Sequence, residues 1–140
     1  MARLPRPTPV NQEVVFDGGV MITETDTRGV ITYVNRKWSE MTGYTKEEAI
    51  GQPHNINRHP DMPQAAFAEI WETIQRGEMW EGYVKNLRKD GKFYWVIVWI
   101  KPKHDESGNV VGYIAGRKVP DRMLVNKFAL EYAKMRDKEK

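Results

Sequence analysis

The sequence contains no cysteine. Disulfide staples, thiolate metal centres and cysteine nucleophiles are therefore excluded. It also lacks any apolar run near the roughly 20 residues that a membrane-spanning helix needs. The first ten residues, MARLPRPTPV, hold no apolar core of the signal-peptide kind, and the expected location is the cytoplasm. An excess of one charge is missing too: the net charge is +3, with 22 basic and 19 acidic residues interspersed. Binding a phosphate backbone needs a concentrated basic face, so nucleic acid is not the expected partner. With no nucleotide fingerprint and no catalytic carboxylate pair, the chain does not read as an enzyme.

What is present suits one soluble domain. A chain of 140 residues with 40% hydrophobic and 29% charged residues can bury a single core. Five tryptophans and six tyrosines are many for this length. Such rings suit planar ligands or interfaces.

Pro5, Pro7 and Pro9 keep residues 1–13 extended, and residues 13–16 fit a short helical turn. Residues 19–25 and 30–34 read as strands joined by a turn at Asp26-Thr27-Arg28-Gly29. Asn35 is a good N-cap, followed by Trp38, Met41 and Thr42 at helical spacing, and Gly43 ends that helix. Thr45 and Glu48 form a capping box for a second short helix, which Gly51 stops. Pro63 opens an amphipathic helix to residue 75, with Ala66, Phe67, Ile70, Trp71 and Ile74 on one stripe and Gly77 beyond its end. Residues 81–89, 92–101 and 110–119 read as three further strands. The middle one is apolar on both faces and is expected to lie centrally in its sheet. Pro120 breaks the pattern and Asp121 caps a charged helix over 122–138. The predicted class is α+β: a five-stranded antiparallel sheet with short helices on one face, plus an N-terminal cap and a C-terminal helix. Helices over one face leave a crevice where a ligand would sit.

Residues 51–63, GQPHNINRHPDMP, stand out. They pack three prolines, two histidines, two asparagines, an arginine and an aspartate into thirteen residues. Read from the residues alone, this is either the rim of a pocket or a polar network that holds an irregular segment. His54, His59 and Asp61 are metal-ligand types, but their spacing matches no standard signature.

These residues carry a resemblance. Asp26, Gly29, Ile31 and Tyr33-Val34-Asn35, then Met41-Thr42-Gly43-Tyr44, Glu48 with Gly51, and Arg88-Lys89-Asp90-Gly91 with Tyr94-Trp95, resemble a PAS domain over residues 14–119. Residues 120–140 would form the helix that follows it. A longer match runs through Gly51-Gln52-Pro53-His54-Asn55, Arg58-His59-Pro60-Asp61-Met62-Pro63, Ala65-Ala66-Phe67, Trp71, Trp80, Val84-Lys85-Asn86 and Tyr94-Trp95-Val96. It resembles the PAS sensor of the aerotaxis receptor family.

The resemblance implies a non-covalent FAD whose redox state reports oxygen or respiratory status to the chemotaxis machinery. It implies a rim made by Arg58, His59 and Asp61, with His54 and Asn55 beside them. Trp71 would pack on the flavin or adenine, or else belong to the core, as its helical spacing also allows. Asn86 falls where flavin-binding light sensors of this fold place a ligand asparagine; their second asparagine corresponds to Val96 and their final-strand glutamine to Arg117. With no cysteine, light-driven adduct chemistry is excluded and redox sensing remains. Arg117 would serve the flavin or a salt bridge to a carboxylate. Phe93, Trp95, Ile97 and Trp99 share the face turned away from the pocket; the N-terminal segment, the last helix or a partner would cover it, and a homodimer or signalling interface through Trp95 and Trp99 is the favoured reading. The output partner would be a membrane-bound chemoreceptor or signalling domain. A ligand-free PAS interaction module and a haem-binding PAS sensor are the alternatives.

Overall fold

Asp26 builds the first reversal of the chain. Its carboxylate accepts from the backbone N–H of Arg28 at 2.8 Å and of Val30 at 3.0 Å. The turn needs a positive φ, which Gly29 supplies at 86°. Strands β1 (Met21–Thr25) and β2 (Ile31–Val34) are thereby paired antiparallel. Asn35 then caps helix α1 (Arg36–Thr42) through the Trp38 N–H, and Gly43 ends it at φ 84°. Thr45 and Glu48 close a reciprocal capping box on α2 (Lys46–Ala49). A 3-10 turn at His54–Asn57 leads to α3 (Gln64–Gln75). Strands β3 (Trp80–Leu87), β4 (Phe93–His104) and β5 (Val110–Lys118) follow, then α4 (Arg122–Lys138), which Asp121 caps. This computed structural model describes residues 3–140.

The sheet order is β2-β1-β5-β4-β3, all antiparallel. The apolar strand β4 is interior, as its composition predicts, although β5 occupies the middle of the five. Register sorts the side chains onto two faces, since paired residues point the same way and neighbours alternate. Asn86 pairs with Tyr94, Val84 with Val96 and Gly82 with Val98 on one face; Lys85 pairs with Trp95, Tyr83 with Ile97 and Glu81 with Trp99 on the other.

Helix α3 lies over the first, inner face, where Trp80 Nε1 donates to Glu69 at 3.1 Å. Helix α4 closes much of the outer face. Phe128 stacks on Tyr83 at 5.1 Å and Tyr132 on Trp95 at 6.3 Å, while the Tyr132 hydroxyl donates to the Tyr83 carbonyl at 2.6 Å. Of the covers expected for this face, the last helix is the one seen over Trp95, which takes Trp95 out of the expected dimer surface. Trp95 is only 5% exposed because Tyr132 of its own chain covers it. Trp99 lies over Gly116, where an added Cβ would sit 2.2 Å from the indole.

Residues 13–16 do not form the expected helical turn. The β4–β5 pairing stops at Ile97, which leaves the Phe93 backbone free on that side. The N-terminal segment fills the gap: Phe93 N–H donates to Gln12 O at 3.0 Å and Val14 N–H to Phe93 O at 2.8 Å. Sheet hydrogen bonds here outweigh a weak local helical preference. Earlier in the same segment, Leu4 N–H donates to Gln52 at 3.0 Å, Arg3 to the Asn55 side chain at 3.0 Å, and Arg6 to the carbonyls of Asn55 and Arg58. Residues 1 and 2 of the expected extended segment lie outside the described residues.

Candidate ligand-binding site

A cavity of about 260 Å³ lies between the inner sheet face, α3 and the 3-10 turn. Its apolar walls are Ile70 and Ile74 from α3 with Val84, Val98 and Ile100 from the sheet. His54, Asn55, Arg58, Trp71, Asn86 and Arg117 all line it. His59 and Asp61 do not.

The division within Arg58-His59 follows from backbone geometry. Arg58 forms an antiparallel bridge with Asn86, so the two side chains share the inner face. Arg58 lays its guanidinium on the Phe67 ring at 3.9 Å. The next residue must point the other way. His59 meets Phe93, an outer-face residue, edge-on at 6.0 Å, and its Nδ1 accepts from the Asp61 N–H at 2.9 Å. Asp61 pairs with Lys85 at 2.8 Å, and Arg136 of α4 donates to its carbonyl. Burial, and then the Lys85 charge, push the His59 imidazole down to about 4. This half of the loop is a bracket between β3 and α4.

Arg117 is 4% exposed at the inner end of the cavity. Its Nη1 donates to Thr23 Oγ1 at 3.1 Å and its Nη2 to His54 Nε2 at 3.0 Å. A guanidinium only donates, so Nε2 accepts and the histidine proton sits on Nδ1. The Thr23 hydroxyl is 3.0 Å from the same nitrogen and donates to it. Burial first, and the Arg117 charge second, push His54 down to about 3. Burial lowers Arg117 itself to about 10, which leaves it charged at neutral pH. Among the described residues no carboxylate pairs with it. Of the two roles expected for Arg117, the salt bridge is therefore not formed.

Trp71 is not a core residue. The buried stripe of α3 is Ala66, Ile70 and Ile74. Trp71 is 36% exposed at the cavity mouth, edge-on to Tyr113 at 5.7 Å. Gly29 lets it approach, since a Cβ there would lie 3.3 Å from the indole. Asn57, Thr23 and Tyr113 also line the site and escaped sequence reasoning. Asn57 donates to the Tyr94 hydroxyl at 3.3 Å. Only Asn57 left a sequence signal, as the second amide of the polar stretch.

A five-stranded antiparallel sheet with a cavity between one face and a helical arm defines a class of α+β domain built around an internal pocket. Residues 17–116 match the family described as PAS fold, and the chain belongs to it. Over 117 residues it is 44% identical to the aerotaxis receptor of Escherichia coli K12, covering 84% of this chain and 23% of the receptor. It thus spans under a quarter of that relative's length. Among solved structures it is similar to the light state of the blue-light photoreceptor Aureochrome1 LOV, with a TM-score of 0.69 at 23% identity over 77% of this chain and 90% of the other. It is also similar to a light-oxygen-voltage domain probed with a flavin analogue, with a TM-score of 0.67 at 26% identity over 86% and 88% of the two chains. Among the described residues no helix is long and apolar enough to cross a membrane.

Proposed function

We propose that the inner cavity binds FAD non-covalently and that the domain is a cytoplasmic, non-enzymatic redox or oxygen sensor for the chemotaxis machinery. The observation that carries this reading is the donor set. Apolar walls at Ile70, Val84, Val98 and Ile100 suit a flat ring, and Asn57, Asn86, His54 and Arg117 offer polar groups to its heteroatom edge. The similarity to the aerotaxis receptor supports it. Bound flavin supplies reversible electron uptake. The chain's own residues hold and orient it: Asn86 from β3, Arg117 and Thr23 from the floor, Trp71 at the mouth. We assign Arg58, stacked on Phe67, to the phosphate side. No thiol is available for an adduct. His54 Nε2, the atom that an axial haem ligand would need, is engaged by Arg117 and Thr23, which weighs against haem.

The output we propose is a change in contacts with a membrane-bound chemoreceptor or signalling domain, in the same chain or another. A homodimer would use the outer face around Trp99. An absorbance spectrum of the purified protein after FAD addition, with chromatography of the released chromophore, tests the reading. Two flavin bands and released FAD are expected. A protein that stays colourless, or shows a sharp Soret band, would sink it.

A further inference from the structure

The cavity has a one-sided charge. Arg28, Arg58 and Arg117 line it, and no aspartate or glutamate does. Two of these arginines are accounted for: Arg28 is largely exposed and pairs with Asp26 at 3.4 Å, and Arg58 is stacked on Phe67. Arg117 is different. It is buried and charged, and among the described residues its side chain is hydrogen-bonded by Thr23 and His54. A buried cation without a counter-charge is costly, and a carboxylate is the common remedy. Neutral acceptors direct the guanidinium without cancelling its charge. They also use only part of its five N–H groups, which leaves donors for an incoming anion. The other groups facing this end are the Tyr94 phenol, the Asn57 and Asn86 amides and the neutral imidazole, none of which is an anion at neutral pH.

We propose that Arg117, braced by Thr23 and His54, makes the inner end of the cavity a preformed anion receptor that fixes the charge state of the ligand. It favours the reduced, negatively charged form of a bound flavin ring over the neutral oxidised form. The inference rests on the flavin reading above. Uptake of one electron from an external donor without a proton adds one negative charge to the ring, and that charge supplies the counter-ion Arg117 lacks. Thr23 and His54 are positioning residues here, since they act through Arg117.

The test compares wild type, Arg117→Gln, Arg117→Lys and Thr23→Val, each reconstituted with FAD and titrated with dithionite in redox buffers. Occupancy by oxidised FAD, the one-electron potential and the spectrum of the reduced ring are recorded at pH 7. Arg117→Gln is expected to bind oxidised FAD more weakly than wild type, so potentials and spectra are compared on the flavin-bound fraction. Its affinity for the reduced ring, relative to the oxidised one, should fall at least tenfold, a potential about 59 mV lower. Its reduced spectrum should change from the anionic to the protonated form. Arg117→Lys should keep most of the wild-type potential, and Thr23→Val should lose about threefold in the same direction. An unmoved potential and spectrum in flavin-bound Arg117→Gln would overturn the inference and leave the flavin reading standing. Absence of flavin from the wild-type protein would remove both. If Arg117→Gln does not fold, Thr23→Val decides: a lowered potential supports the receptor, an unchanged one overturns it.

Discussion

The stretch from residue 51 to 63 is rich in polar side chains, yet its two halves face different parts of the molecule. In the first half, His54, Asn55, Asn57 and Arg58 line the cavity, and the N-terminal segment ties this half down through Leu4 and Arg6. The second half turns away. His59 packs on Phe93, Asp61 pairs with Lys85, the Lys85 N–H points at the Met62 sulfur at 3.4 Å, and α4 grips the backbone through Arg136. One half faces the cavity and the other joins the sheet edge to the outer helix. A change at the pocket therefore has a short path to α4: the backbone from Arg58 to Asp61, then the hydrogen bond that Arg136 donates to the Asp61 carbonyl.

Acid should produce the largest effect, because each half contains a histidine that burial holds neutral. His54 is pushed down to about 3 and His59 to about 4, whereas an unfolded chain protonates each near the ordinary value of 6.5. Between these values the unfolded state binds the extra protons. Their contribution to stability is therefore complete above about 6.5 and is lost as pH falls towards the folded-state values. The slope is about 1.4 kcal/mol per pH unit for each histidine. Urea unfolding at a series of pH values from 7 to 4 measures it. His54→Gln and His59→Gln should each remove about half of the histidine slope. A profile that only one of them flattens would mean that the halves are not equally sealed from water.

Binding should separate the halves where acid treats them alike. Arg58→Ala and Trp71→Ala are expected to weaken FAD binding at least tenfold, about 1.4 kcal/mol, measured by flavin fluorescence on titration. Asp61→Asn should change binding by less than twofold, and stability by no more than about 1 kcal/mol, since its carboxylate is half exposed. Equal loss of binding in Arg58→Ala and Asp61→Asn would abolish the distinction.

The features legible in the sequence were those set by near neighbours. Asn35, the Thr45–Glu48 box, Asp121 and the turn glycines each act within a few residues of themselves, and all occur as predicted. Strand alternation likewise placed Asn86 inward and Trp95 outward. What the sequence hid depends on contacts between distant segments. The outward turn of His59 follows from the bridge between Arg58 and Asn86. The covering of Trp95 requires knowing where α4 docks. The partners of Arg117, Thr23 and His54, lie 94 and 63 residues away, so its lack of a carboxylate was invisible in one dimension.

The smallest expected effect concerns the join between the second half and α4. Helix α3 begins after Pro63, which has no side-chain group to cap it. Its first N–H groups are instead met from α4: Glu139 accepts from Gln64 at 3.0 Å and from Ala65 at 2.9 Å. A carboxylate at a helix N-terminus satisfies orphan donors and opposes the positive end of the helix dipole. The site is exposed, so Glu139→Ala should cost only about 0.5–1 kcal/mol, and less in high salt. Hydrogen exchange gives the sharper readout. Amides at residues 64–67 should exchange faster in Glu139→Ala than in Glu139→Gln, whose amide oxygen still accepts. If amides at residues 54–58 keep their wild-type rates, the two halves are mechanically separate and the pocket signals through the sheet. If those amides quicken as well, the loop itself is the route from cavity to helix, and the division drawn between its halves holds for contacts but not for motion.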